Sequence, residues 1–150
     1  MSATARVDRN DLGFLLARAT QRWNELLAER FAAHGYSEVR PSYGSVLLPL
    51  YEEDGLRMGE LAARARLSKQ TMTQMIARLE RDGLVKRRPD PGDGRATVIY
   101  LTERARSFEP VAAAVLAELD QLVKRRLGTG RVAVHKDALR ELIDLDAPNS

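Results

Sequence analysis

Two short amphipathic helices separated by a two-residue break, and followed at once by a basic hairpin, leave few options for residues 57–102. Met58-Gly59-Glu60-Leu61-Ala62-Ala63-Arg64-Ala65 has helical periodicity. Arg66-Leu67 interrupts it. Ser68 then stands where a helix N-cap belongs, since its side-chain oxygen can accept from a backbone N–H left unpaired in the first turn. The pattern predicts a longer helix from Lys69 to about Arg81, stopped by Asp82-Gly83. An apolar-to-basic run follows, Leu84-Val85-Lys86-Arg87-Arg88, then the turn-rich Pro89-Asp90-Pro91-Gly92-Asp93-Gly94-Arg95, then the β-branched run Ala96 to Leu101. Together these pieces predict a winged helix-turn-helix.

The second helix has two dissimilar faces. At about 100° per residue, Met72, Met75, Ile76 and Leu79 share an apolar arc, and Gln70, Thr73, Gln74, Ala77 and Arg81 lie opposite, with Lys69 and Arg78 on the flanks. Glutamine can pair bidentately with adenine, threonine can bond a base or phosphate or touch a thymine methyl, and alanine lets a helix approach the groove floor. The N–H groups after Ser68 suit a phosphate oxygen. The bland alternative is a solvated face, but such faces carry Glu and Lys at pairing distances, and no acid lies between Lys69 and Ala77.

Charge supports the same reading. Residues 57–95 hold ten Lys/Arg and five Asp/Glu, a net of +5, whereas the whole chain carries +3, leaving −2 elsewhere. A hairpin carrying Lys86, Arg87, Arg88 and Arg95 fits DNA, with an arginine at its tip suited to the negative minor groove. A solvated basic turn is the competing reading.

The ordered set of motifs resembles the MarR family of bacterial winged-helix transcription regulators over most of the chain. It comprises Gly59-Glu60-Leu61-Ala62, Leu67-Ser68-Lys69-Gln70-Thr71-Met72-Thr73-Gln74, Arg78-Leu79-Glu80-Arg81-Asp82-Gly83-Leu84-Val85, Arg88-Pro89, Asp93-Gly94-Arg95 and Leu101-Thr102-Glu103. The resemblance implies that Arg95 contacts the minor groove while Asp93 orients it. Ala105 stands where the family usually has glycine, and Arg40-Pro41-Ser42-Tyr43-Gly44 is similar to an Arg-Pro-x-His-Gly found in a subset, with Tyr43 as the variant. The DNA-contacting set is therefore Ser68, Lys69, Gln70, Thr73, Gln74, Arg78, Arg88, Asp93 and Arg95.

The flanks differ in character. Leu12, Leu15, Leu16, Ala19, Trp23, Leu26 and Leu27 recur at helical spacing from about Asp11 to Ala33. Val111, Val115, Leu119, Leu122 and Arg126 do so from Thr102 to Leu127. Gly128-Thr129-Gly130 is expected to break that helix, before a last one outlined by Val132, His135, Leu139, Leu142 and Ile143. A further helix opens near Arg40-Pro41-Ser42, where proline suits the first turn. Pro49, inside Val46 to Tyr51, should kink it or end it early, and Glu52-Glu53-Asp54-Gly55 turns into the helix-turn-helix. These apolar faces exceed what a winged lobe can cover, which predicts burial across a two-fold axis rather than a monomeric cap. The resemblance implies the same homodimer. The fold class is mainly α with a small β-hairpin wing, in one domain with a DNA lobe at about 41–102 and dimerisation helices at about 8–40 and 103–146. The first residues and the tail from Asp146 should fray.

Other function classes lose ground by exclusion. With 150 residues the chain could bury about 68–70% of its unfolded surface, enough for one core. Zero cysteines remove disulfides, thiolate metal sites and thiol redox sensing. His34 and His135 alone make a metal sensor a poor expectation, and no metal or cofactor is expected. No nucleophile elbow, P-loop, His-Glu-x-x-His or dinucleotide glycine motif points to an enzyme. Nothing reads as a signal region or a membrane span, so the expected location is the cytoplasm. The function these features predict is sequence-specific DNA binding by a transcription regulator, a repressor of pseudo-palindromic operators, and the resemblance implies a pocket for a small organic effector that releases the DNA. Trp23, Tyr36, Tyr43 and Arg22 are candidate effector contacts, with Phe31, Arg18 and Arg40 nearby in the reading. The rival is a non-specific architectural DNA binder, and a plain interaction module is a third possibility.

Overall fold

A computed structural model describes residues 4–146, so the fraying expected at the two chain ends lies mostly outside the described residues. Two compact units are distinguished, one ending at Ala112 and one beginning at Ala113. The elements in chain order are α1 (Leu12–Ala33), a 3-10 turn (Pro41–Tyr43), α2 (Gly44–Glu52), β1 (Leu56–Arg57), α3 (Met58–Ala65), α4 (Lys69–Arg81), β2 (Val85–Asp90), β3 (Asp93–Leu101), α5 (Glu103–Leu127) and α6 (Thr129–Ile143).

In the first unit, local chemistry sets the helix ends. Asp11 caps α1 by accepting from the Phe14 N–H at 3.2 Å. Arg66 takes a left-handed conformation (φ 54°), and Leu67 N–H reaches back to the Ala62 carbonyl at 3.0 Å, which turns the chain sharply after α3. Gly83 (φ 77°) ends α4 in the same way, with Leu84 N–H on the Leu79 carbonyl at 2.9 Å. The apolar faces of these helices meet in one core, in which Val46, Leu61, Met72, Ile76, Leu79, Leu84 and Ile99 are completely buried.

The sheet is antiparallel, in the order β1-β3-β2. Ile99 of the central strand pairs with Leu56 on one side and Arg87 on the other. Two-residue β1 was not expected, because so short a strand carries no alternation to read. The seven-residue turn expected at 89–95 is also much tighter than the composition suggests. Strand pairing continues through Pro89 and Asp90 and resumes at Asp93, so that only Pro91-Gly92 lies between the strands. A register shift falls between Pro89 and Asp90, and Pro89 is tolerated because β2 is an edge strand.

Two details refine the expectations. Pro49 lies inside α2, which ends within a turn of it. The helix runs three residues further, with Val46, Leu47, Pro49 and Leu50 buried, and Glu53 N–H closes it on the Pro49 carbonyl at 2.9 Å. Burial of that apolar face offsets the missing proline N–H. Gly130 does not belong to the break after α5. Gly128 alone supplies the turn (φ 87°), and Gly130 is helical within α6. In the second unit Val115, Leu119 and Val132 are buried.

The glycine at the entrance to β1 has a strict requirement. Gly55 has φ 74°, and a Cβ there would lie 2.7 Å from Tyr100 Cε1. Its neighbour Asp54 accepts from Leu101 N–H at 2.9 Å and pairs with Arg106 at 2.7 Å, which ties this turn to the end of β3 and the start of α5. Gly55→Ala is expected to destabilise the fold by about 1 kcal/mol or more. Gly59→Ala, in α3 with open space around its Cβ, is expected to stabilise it by about 0.5–1 kcal/mol. Urea unfolding midpoints moving the same way in both variants would contradict this account.

Candidate nucleic-acid interface

Ser68 sits at the N-cap of α4 and accepts from the Thr71 N–H at 3.1 Å. The helix buries Met72, Ile76 and Leu79, and this rotation turns its opposite face outward. Lys69, Gln70, Thr73, Gln74, Ala77 and Arg78 are all exposed. Among the described residues, the side chains of Lys69, Gln70, Gln74 and Arg78 have no hydrogen-bond or ion-pair partner. Thr73 is different: its hydroxyl donates to the Lys69 carbonyl at 2.8 Å, so it faces outward with a methyl and an acceptor oxygen only.

The wing belongs to the same unit. Lys86, Arg88, Asp93 and Arg95 are exposed on it. Asp93 meets Arg95 through the backbone. Its carboxylate accepts from the Arg95 backbone N–H at 3.1 Å and orders the tip of the wing. Arg87 is diverted from the expected basic surface: it is half-buried and lies 3.4 Å from Glu80, a charge contact without hydrogen-bond alignment. This contact joins the wing to α4. Arg57, exposed on β1, donates to Asp90 at 2.7 Å. The Gly92 N–H, and then Arg57, hold the Asp90 carboxyl below its ordinary range.

A feature missed in the sequence lies at the far end of α4. Tyr43, 1% exposed, donates its hydroxyl to Asp82 at 2.5 Å. Burial and then Asp82 push the Tyr43 phenol up, and the same hydrogen bond pulls the Asp82 carboxyl down. These residues are 39 positions apart, and Asp82 read only as a helix stop.

Residues 41–97 match the MarR family model. An HTH-type transcriptional regulator of Mycobacterium bovis is 36% identical over 109 residues, which cover 73% of each chain. The chain belongs to the MarR family. The exposed helix and wing described above are thus those of a DNA-binding transcription regulator, not an enzyme. Similar to this MarR protein too is the HTH-type regulator TtmR of Methylorubrum extorquens, 34% identical over 113 residues. That match takes in 73% of this chain but only 56% of TtmR, so this chain spans little more than half of that relative's length. The PcaV transcriptional regulator of Streptomyces coelicolor, solved with its natural ligand, is 26% identical with a TM-score of 0.78, covering 95% of this chain and 99% of its own.

The candidate effector contacts of this MarR-family chain are dispersed. Trp23 is half-buried on α1, and Arg22 is paired with Glu25 at 3.2 Å. Tyr36 is buried, its hydroxyl 2.8 Å from Ser107 Oγ and its ring 5.1 Å from Phe108, which Phe31 meets edge-on at 4.8 Å. The Arg104 guanidinium lies 3.8 Å from the Tyr36 ring centre and is held by Glu38 at 2.6 Å. Trp23, Tyr36 and Tyr43 make no ring contact with one another among the described residues. Arg18 bonds Gln21 at 2.6 Å, and Arg40 is exposed just before the 3-10 turn. An open depression along α1, lined by Ala17, Thr20, Gln21, Asn24, Glu25, Ala28 and Pro41, includes none of the four residues named for the effector. No helix among the described residues is long and apolar enough to cross a membrane.

Proposed function

We propose that this chain is a sequence-specific transcriptional repressor that binds a pseudo-palindromic operator as a homodimer and is released by a small organic molecule. The observation that carries the reading is the outward face of α4, where Gln70 and Gln74 present amides with no protein partner beside Lys69 and Arg78. Both α4 helices of the dimer enter successive major grooves, with half-sites about 34–36 Å apart. Ser68 and Lys69 serve phosphates, Gln70, Thr73 and Gln74 read base edges, and Arg78 and Arg88 track the backbone. Arg95 enters the minor groove from a tip ordered by Asp93.

Homodimerisation is supported by apolar side chains left exposed towards both chain ends. Leu12 (58%) and Leu15 lie on α1, and Leu139 and Ile143 (69%) on α6. In this reading residues 1–150 form one MarR-type domain, with 41–102 as the DNA lobe and 8–40 and 103–146 as dimerisation helices, acting in the cytoplasm. PcaV supports the effector by analogy, since its structure contains a natural ligand. Trp23, Tyr36, Tyr43 and Arg22 are the proposed contacts. The effector acts by favouring a dimer whose α4 helices are misspaced. Moving the competent population from about 99% to 1% takes about 5.5 kcal/mol of preference for the other state.

Operators selected from random DNA, with light scattering of the complex, test the assembly. A pseudo-palindrome bound by a dimer over excess competitor DNA is expected. A monomer binding the operator fully overturns the dimer, and equal binding to all competitors favours an architectural role. Titrating aromatic acids while following the single tryptophan, Trp23, and DNA release tests the effector. Release by an oxidant or divalent metal alone would sink it.

A further inference from the structure

We infer that the Tyr43–Asp82 hydrogen bond sets the position of the recognition helix along its own axis, making both residues positioning residues for base reading. The inference rests on the proposed role of α4 as the reader. Several features hold that helix. Ser68 closes its N-terminus, Met72, Ile76 and Leu79 press its inner face into the core, and Glu80 meets Arg87 of the wing at 3.4 Å. Apolar packing is non-directional. It fixes the rotation and depth of the helix and limits sliding by close packing, while directional hydrogen bonds set the last fraction of an ångström along the axis. A helix rises about 1.5 Å per residue, whereas recognition tolerates about 0.5 Å of misplacement, so a slip of a third of a residue spoils a bidentate amide–adenine pair.

At the C-terminal end the Thr102 hydroxyl donates to the Gly83 carbonyl at 2.7 Å, and the directional restraint from the α1–α2 segment is on Asp82. Asp82 is the C-cap of α4, with its backbone N–H on the Arg78 carbonyl at 2.9 Å and one carboxylate oxygen 2.5 Å from the Tyr43 hydroxyl. The other oxygen has only a 3.4 Å contact with exposed Arg81. Tyr43 is itself well held. Its ring is buried, and its backbone N–H donates to the Arg40 carbonyl at 2.9 Å in the turn that begins with Pro41. That proline also lines the depression along α1. The anchor of the reading helix thus lies in the segment that joins α1 to α2, and displacement of this segment moves α4 along its axis. The Tyr43 hydroxyl is committed to this bond.

The test compares Tyr43→Phe, Asp82→Ala, the double variant and Tyr51→Phe by fluorescence anisotropy on the selected operator, its ranked single-base variants and a scrambled duplex. Tyr51→Phe is the control, since it deletes a hydroxyl that donates to the Ala105 carbonyl at 2.6 Å, away from α4. Tyr43→Phe and Asp82→Ala are each expected to weaken operator binding by about tenfold and to compress the ranking, with scrambled DNA bound as before. The double variant should be no worse than either single. Asp82→Asn, which retains one acceptor oxygen, should fall between wild type and Asp82→Ala, and Asp82→Ala carries the test if Tyr43→Phe does not fold. If Tyr43→Phe or Asp82→Ala ranks operators as Tyr51→Phe does, the inference is overturned, whatever the melting temperatures. If Gln70→Ala and Gln74→Ala leave the ranking intact, the reader assignment falls and takes this inference with it. If they relax it while Tyr43→Phe does not, only the positioning role falls.

Discussion

Raising salt from about 50 to 200 mM is expected to weaken operator binding by about three to five orders of magnitude. The size of the effect follows from the number of cations each protomer can bring to the DNA, on phosphates and in the minor groove. Lys69, Arg78, Lys86, Arg88 and Arg95 are exposed on α4 and the wing and lack a carboxylate partner among the described residues. Three other cations in the same region are engaged elsewhere: Arg57 with Asp90, Arg81 with Asp82, and Arg87 with Glu80. A dimer neutralising about 6–10 phosphates gives a log–log slope near −5 to −9. Arg95→Ala removes one contact per protomer, so the slope should become shallower by about 2 for the dimer. Affinity should fall across sequences, with any preference confined to A·T-rich minor grooves. A wild-type slope shallower than about −3 would mean that these side chains do not meet phosphate.

The parts legible in the sequence are those in which one local pattern decides the outcome. α3, the Ser68 cap and α4 were readable because the 3.6-residue period, a capping residue and the Asp82-Gly83 stop all agree. The outward face of α4 followed from the same period, since burying Met72, Ile76 and Leu79 leaves Gln70 and Gln74 no other direction. Features that depend on distant partners were not readable. Two residues of β1 become a strand only because Ile99 and Val98 lie beside them. The wing strands outlast their turn-rich composition because pairing across β2 and β3 supplies what local propensity withholds. Charge counting likewise overstated the free basic surface. Nothing in Lys86-Arg87-Arg88 singles out the middle arginine, yet strand alternation turns it towards Glu80. In Asp93-Gly94-Arg95 the short spacing brings the carboxylate onto the Arg95 backbone N–H, a detail that the motif alone does not specify.

Replacing Gln70 or Gln74 by alanine is expected to cost about 1–3 kcal/mol on the preferred operator, about 5- to 150-fold in affinity, and to flatten the ranking of operator variants. The expectation rests on what each amide does in the unbound protein. Neither has a hydrogen-bond partner among the described residues, so alanine breaks nothing within the fold, and its high helix propensity keeps α4 intact. Loss of affinity therefore reports a contact made only with DNA. Thr73 supplies the contrast. Its hydroxyl proton is already given to the Lys69 carbonyl, so Thr73→Val, which keeps the methyl available for thymine, should change affinity less than either glutamine variant. Phosphate cations provide the second contrast. Lys69→Ala should weaken operator and scrambled DNA in proportion, because a phosphate contact carries no sequence information. The decisive quantity is the ratio of operator to scrambled affinity at one fixed salt concentration. If Gln70→Ala and Gln74→Ala lower both affinities equally and keep that ratio, α4 is not the reading helix, and specificity must come from the shape of the DNA beneath the wing.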